Sequence, residues 1–195
     1  LLHQFAALQP GHWVLQNAAT SAVGRAVIEI AHKRGWKTLN VVRRAAAAEE
    51  LRALGADAVV VDDEDMGAAA KDVLGGAVPR LALNAVGGSS ATRLAGLLAS
   101  GGTLVTYGAM SKEALKIPNG FLIFRDLVFR GFWLTRWLRA APPDQVSSLF
   151  DQIFRCAASG CFAPRVVAEF PLGEVSAAVT RAEEGGGKVL LRLGG

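Results

Sequence analysis

Two hydrophobic periods alternate along the chain. Trp13-Val14-Leu15-Gln16-Asn17-Ala18-Ala19 is a short run that reads as a buried strand. From Val23 to Arg34 the apolar residues Val23, Val27, Ile30 and Ala31 recur at helical spacing, and Gly35 follows where a helix C-terminus favours glycine. The unit then repeats. Thr38–Arg43 predicts a second strand, and Ala45–Leu54, closed by Gly55, a second helix. Ala58–Val61 predicts the third strand, and Met66–Leu74, before Gly75-Gly76, a weaker helix. Leu81–Val86 is the fourth strand, followed by Gly87-Gly88 and a helix to Leu98. Thr103–Tyr107 and Leu127–Trp133 are the fifth and sixth strands.

Strands that are apolar throughout and alternate with helices belong to a parallel sheet covered on both faces. Six of them predict a doubly wound parallel sheet, the Rossmann fold, with strand order 3-2-1-4-5-6. A closed βα barrel needs about 200 residues or more and eight such units, so it does not fit. The tail changes character. Asp144–Ala158 predicts an amphipathic helix carrying Val146, Leu149, Phe150, Ile153 and Phe154. A strand (Arg165–Phe170), a helix (Glu174–Glu184), the turn Gly185-Gly186-Gly187 and a strand (Lys188–Leu191) follow. These are too many for the same sheet and predict a partial second lobe. Residues 1–160 are therefore expected to form the nucleotide domain and residues 161–195 a C-terminal segment.

Composition agrees and narrows the partners. With 51% hydrophobic and 19% charged residues in 195, the chain can pack a core and is not disordered. The net charge of +4 is mild, and no basic stripe or recognition motif points to nucleic acid. Leu1–Gly24 lacks Lys, Arg, Asp and Glu, but Gln4, Gln9, Pro10, Gly11, Gln16, Asn17, Thr20 and Ser21 interrupt it, so no membrane span is expected. There is no basic segment or cleavage site of a signal peptide, and the chain opens on Leu1-Leu2, which predicts part of a longer protein. Cys156 and Cys161 are not spaced as C-x-x-C, and His3, His12 and His32 lie far from them, so no metal site is expected. A reduced, cytoplasmic compartment is the expected location.

Candidate chemistry gathers at the strand ends. The first strand-to-helix turn is Ala19-Thr20-Ser21-Ala22-Val23-Gly24. Of the G-x-G-x-x-G fingerprint only Gly24 survives, with Ala19 and Ser21 at the first two glycine positions. Small residues there let a pyrophosphate approach a helix N-terminus; equally, Thr20 or Ser21 serves as a plain cap on a turn that binds nothing. The second strand ends in Arg43-Arg44, where NAD-binding domains carry an acid. Two guanidinium groups instead suit a ribose 2′-phosphate and favour NADPH, the alternative being a solvated sheet edge. Asn84-Ala85-Val86-Gly87-Gly88 and Tyr107-Gly108-Ala109-Met110 end the fourth and fifth strands where such a cofactor lies, or are ordinary loops. Phe132-Trp133 ends the sixth, as nicotinamide contact or as packing. Asp62, Asp63, Glu64 and Asp65 read as a solvated turn, and no catalytic constellation is visible.

Leu8–Ala18, Leu39–Arg43, Leu81–Gly88 and Gly131-Phe132-Trp133-Leu134 resemble the medium-chain dehydrogenase/reductases. Within them the chain is most similar to the zinc-free, mitochondrial-type trans-2-enoyl-CoA/acyl-carrier-protein reductases, which use NADPH in fatty-acid synthesis. The resemblance implies that Thr20, Ser21, Ala22, Val23 and Gly24 line the pyrophosphate and that Arg43 and Arg44 hold the 2′-phosphate. It implies that Tyr107, Gly108, Ala109 and Met110, with Phe132, Trp133, Leu134 and Thr135, flank the nicotinamide, and that Lys188 reaches the cofactor. Ala22 and Ala109 stand where the family usually has glycine, each adding a methyl group. The family's catalytic tyrosine sits in a lobe that would precede Leu1, so no residue here is assigned as catalytic. The implied substrate is an enoyl thioester of CoA or acyl carrier protein. The implied assembly is a homodimer through the sixth-strand edge, and the implied location in a eukaryote is mitochondrial. A quinone or alkenal reductase, or a nucleotide-binding module without catalysis, are the alternatives.

Overall fold

A computed structural model describes residues 1–2, 4–163 and 165–193. The chain divides into two compact units, Leu1–Gln152 and Ile153–Gly195.

In the first unit, strands β1 (Trp13–Gln16), β2 (Lys37–Val42), β3 (Ala58–Val61), β4 (Leu81–Asn84), β5 (Thr103–Thr106) and β6 (Val128–Gly131) form one parallel sheet. Its order is β3-β2-β1-β4-β5-β6, as the alternating pattern predicts. Helices α1 (Ala22–Lys33), α2 (Ala48–Ala53), α3 (Met66–Leu74) and α4 (Gly88–Gly96) provide the crossovers between the first five strands. Both sheet faces are dry. Leu15, Leu39, Val41, Val60, Leu94 and Leu104 pack on one side with Met66, Ala70 and Leu74 of α3. On the other, Val14, Leu81, Leu83 and Val105 pack with Val27 and Ala31 of α1 and with Trp36. Strand β4 is buried at every position, which is why its sequence shows no alternation.

Two short helices have no counterpart in the sequence pattern. They are α5 (Asn119–Ile123) and α6 (Leu134–Ala140). Strand β6 stops at Gly131 rather than Trp133, because Trp133 already serves as the extended N-cap of α6. Helix α7 (Pro143–Ala158) follows. In the second unit, β7 (Val166–Pro171) and β8 (Lys188–Arg192) pair in parallel as a separate two-stranded sheet. Helix α8 (Val175–Glu183) connects them and packs on both strands, with Ala178 buried. Among the described residues the tail adds no strand to the large sheet.

Candidate functional site

Strand order reverses at β1: β2 and β3 are added on one side of it and β4, β5 and β6 on the other, all of them parallel. Crevices of this fold open at that switch point, beyond the carboxyl ends of the strands. Side chains there lock together. Asn17, directly after β1, donates from Nδ2 to Oδ1 of Asn84 at 2.8 Å and to Oγ of Ser90 at 3.0 Å. Its Oδ1 accepts from the Ala85 N–H at 2.8 Å. Asn84 Oδ1 also accepts the N–H groups of Val86 and Gly87, both at 3.1 Å, and Asn84 Nδ2 donates to Oγ1 of Thr106 at 3.1 Å. These six polar contacts tie the ends of β1, β4 and β5 and the start of α4. All three residues Asn17, Asn84 and Ser90 are buried, so leaving any one unpaired would carry a desolvation penalty.

The β1–α1 turn is built on this base. Ala18 takes a left-handed conformation (φ 49°), uncommon without glycine, and its carbonyl accepts from the Ser21 N–H at 2.9 Å. Ser21 caps α1 by accepting from the Gly24 N–H at 3.1 Å. The cap reading of Ser21 is therefore realised. No acid occupies the first turn of α1, so its dipole is uncompensated. Gly24 is buried against the backbone of Ala18 and Ala19; a Cβ there would lie 2.6 Å from the Ala19 carbonyl oxygen. Thr20, Ala22 and Val23 are exposed. Arg25 is not free to meet a phosphate, since its Nη1 pairs with Oε1 of Glu50 at 2.8 Å.

Arg43 and Arg44 continue directly from β2, both exposed. Among the described residues neither guanidinium forms a side-chain hydrogen bond or ion pair, so two cations stand available one strand away from the α1 N-terminus.

On the far side of the switch point, the loop after β5 is stitched to the loop after β4. Met110 N–H donates to the Ala85 carbonyl and Ser111 N–H to that of Val86, each at 2.9 Å. Gly108 lies so close to Ala85 that a Cβ would come within 3.0 Å of its carbonyl oxygen. Phe132 joins through its N–H to the Thr106 carbonyl at 2.9 Å and packs on the α1 face beside Tyr107. Ala109, Met110, Trp133, Leu134 and Thr135 are exposed. The structure thus brings the Thr20–Gly24, Arg43-Arg44, Tyr107–Met110 and Phe132–Thr135 segments to one edge of one sheet. Lys188 lies in the second unit at the start of β8, where its N–H donates to the Arg165 carbonyl at 2.7 Å.

The hydroxyl of Tyr107 is buried without a hydrogen-bond partner among the described residues. Burial pushes its phenol up from the ordinary value near 10. It therefore keeps its proton where an exposed tyrosine has lost it. The raised folded-state value means that stability is fully present below about pH 10 and falls as pH rises toward the folded value. Tyr107→Phe is expected to stabilise the cofactor-free protein by about 1 kcal/mol, because it removes an unsatisfied buried group. It should also flatten the stability loss above pH 10. Urea unfolding at pH 8 and pH 10.5 checks both; a destabilised variant would mean the hydroxyl has a partner.

The sequence pattern assigns no site role to Asn17, Asn84, Ser90 or Thr106, and it does not show the ion pair between Asp62 and Arg93 (Oδ1 to Nη2, 2.5 Å). Asp62 is thus not part of a freely solvated turn.

Sheet, switch point and glycine-backed helix start define a doubly wound α/β domain of the Rossmann class. A family model described as zinc-binding dehydrogenase matches residues 22–154, and the chain belongs to that family. It is 40% identical over 187 residues to the human mitochondrial enoyl-[acyl-carrier-protein] reductase, covering 92% of this chain and 49% of that protein. A solved complex of Etr1p with NADP and crotonyl-CoA superposes with a TM-score of 0.85 at 27% identity, covering 98% of this chain and 57% of that one. The Etr1p/Etr2p heterodimer from Candida tropicalis superposes with a TM-score of 0.81 at 28% identity, covering 95% of this chain and 55% of that one. The chain spans about half the length of the curated relatives it matches.

Zinc does not fit the described residues. No group of three His, Cys, Asp or Glu side chains among them comes together to hold a metal ion. No helix among them is long and apolar enough to cross a membrane.

Proposed function

We propose that this chain is the NADPH-binding part of an oxidoreductase that reduces the 2,3 double bond of enoyl thioesters. The observation that carries the cofactor assignment is Arg43-Arg44, two exposed cations without a side-chain partner among the described residues, just after β2 where an acid would select NADH. The cradle fits the cofactor in two further respects. The first turn of α1 carries no acid and Gly24 seats it against the Ala18 and Ala19 backbone, which suits a pyrophosphate at the helix N-terminus, and the Tyr107 hydroxyl is buried without a partner among the described residues at the end of β5. The substrate assignment is supported by the similarity to enoyl-acyl-carrier-protein reductases.

In this reading Thr20, Ser21, Ala22, Val23 and Gly24 hold the pyrophosphate, and Arg43 and Arg44 hold the 2′-phosphate. Tyr107, Gly108, Ala109 and Met110, with Phe132, Trp133, Leu134 and Thr135, flank the nicotinamide and shield it from water. Lys188 reaches the cofactor from the segment 161–195, beyond the nucleotide domain of residues 1–160. Bound NADPH supplies the hydride for the β-carbon of the enoyl thioester. This chain's part is alignment of donor and acceptor. The proton comes from a residue outside these 195. The thioester is carried on CoA or acyl carrier protein. The mitochondrion in a eukaryote, otherwise the cytoplasm, is the proposed location. Strand β6 is an open sheet edge flanked by exposed Phe124, Val128 and Trp133, which supports a homodimer through that edge.

The test is equilibrium binding of NADPH and NADH, followed by reduction of crotonyl thioester and of a quinone by the intact protein. NADPH preference with thioester turnover is expected. A preference for NADH overturns the cofactor assignment, quinone turnover alone moves the substrate to that class, and binding without turnover leaves a nucleotide-binding module. Sedimentation velocity should give a dimer; a monomer at micromolar concentration removes the edge assignment.

A further inference from the structure

The 2′-phosphate cradle has an acid beside it. Asp62 follows β3, and its N–H donates to the Val42 carbonyl at 2.9 Å, at the last residue of β2. Val42 and Val61 are register partners, so Arg43 and Asp62 occupy the next positions of adjacent strands. Neighbouring strands lie about 4.8 Å apart, which places the two backbones side by side. An unscreened carboxylate here would repel the phosphate or draw Arg43 or Arg44 to itself. Either outcome lowers selectivity for the phosphorylated cofactor.

The structure does not leave that carboxylate unscreened. Arg93, on the last turn of α4, donates to its Oδ1 from Nε at 2.9 Å and from Nη2 at 2.5 Å. The Asp62 side chain is only 11% exposed, so the contact is shielded more than a surface pair. Asp63, Glu64 and Asp65, by contrast, are exposed. We infer that Arg93 is a specificity-determining residue: by clamping Asp62 it keeps Arg43 and Arg44 free for the 2′-phosphate. The inference rests on the reading of Arg43-Arg44 as the phosphate cradle. Arg93 acts through Asp62 and is therefore a positioning residue.

The test measures NADPH and NADH affinities on the intact protein. Arg93→Gln is expected to weaken NADPH by about fivefold, the effect of one carboxylate roughly 8 Å from a doubly charged phosphate in a watery setting. NADH should be unchanged, and the NADPH loss should shrink at high salt. Arg93→Gln with Asp62→Asn should restore NADPH affinity, and Arg93→Lys should keep most of it. Equal weakening of both cofactors, no change in preference, or failure of the double variant to recover would each overturn the inference and leave the pair as a brace between β3 and α4. If Arg93→Gln does not fold, Asp62→Asn alone decides: preference for NADPH should hold or rise, and a fall overturns the inference. Arg43→Ala with Arg44→Ala separates the two levels. Unchanged preference there sinks the cradle itself; lost preference there with a silent Arg93→Gln sinks only the role of Arg93.

Discussion

Replacing Arg43 and Arg44 together by alanine is expected to weaken NADPH binding about a hundredfold while leaving NADH within about threefold. The magnitude follows from two charge-assisted contacts to one phosphate, each contributing roughly 1.5 kcal/mol at an exposed site, with 1.4 kcal/mol per factor of ten. Both side chains are exposed and have no partner among the described residues to lose, so the double variant should melt within a few degrees of the natural protein. That separates it from changes that act through folding. A pH signature accompanies it. Arginine stays charged throughout, whereas a phosphate monoester gains a proton near pH 6. NADPH affinity of the natural protein should therefore fall as pH drops below about 6, and that fall should vanish in the double variant. Titration calorimetry or cofactor fluorescence at pH 5.5 and pH 7.5, with both dinucleotides, reads all four quantities. Loss of NADH and NADPH in parallel would show that the arginines serve the pyrophosphate or the fold.

The βα alternation was legible because the signals are local. Each strand is a short apolar run, and α1 shows its stripe within one element, so strand order followed from connection rules. Arg43-Arg44 was legible for the same reason: a strand end and its charge lie next to each other in sequence. Helices α5 and α6 were not, because five and seven residues are too few to show a helical period, and Phe132-Trp133-Leu134 carries the aromatic content of a strand. The Asn17–Asn84 contact spans 67 positions and the Arg93–Asp62 pair 31. Pairs of that separation appear only when β1 meets β4, or β3 meets α4. In a pattern reading Asn17 and Asn84 merely mark the ends of apolar runs. Their pairing, and Ala18's left-handed backbone, depend on the turn they close and not on their own side-chain type.

Gly24→Ala is expected to produce the larger effect on stability, about 3 kcal/mol, because the added methyl group meets backbone and not a side chain that can rotate away. Its Cβ would lie 2.6 Å from the Ala19 carbonyl oxygen and 2.7 Å from the Ala18 carbonyl oxygen and the Ala19 Cα. Helix α1 cannot slide off to make room. The Gly24 carbonyl accepts from Nε2 of buried Gln16 at 2.9 Å, and its N–H is held by Ser21, so the residue is gripped from both sides. Any shift also moves the helix N-terminus away from the proposed pyrophosphate position. For a domain of this size about 3 kcal/mol is a drop in melting temperature of roughly 6–12 °C. Gly67→Ala is the control. That glycine lies within α3 with nothing near its Cβ position, so the same substitution should raise stability by about 0.5–1 kcal/mol through helix propensity. Opposite signs at the two sites are expected from thermal and urea unfolding without cofactor. Gly24→Ala should then bind NADPH and NADH equally poorly, unlike the arginine variant, because the pyrophosphate is common to both. A Gly24→Ala protein as stable as the natural one would mean that α1 stands further from β1 than these contacts place it.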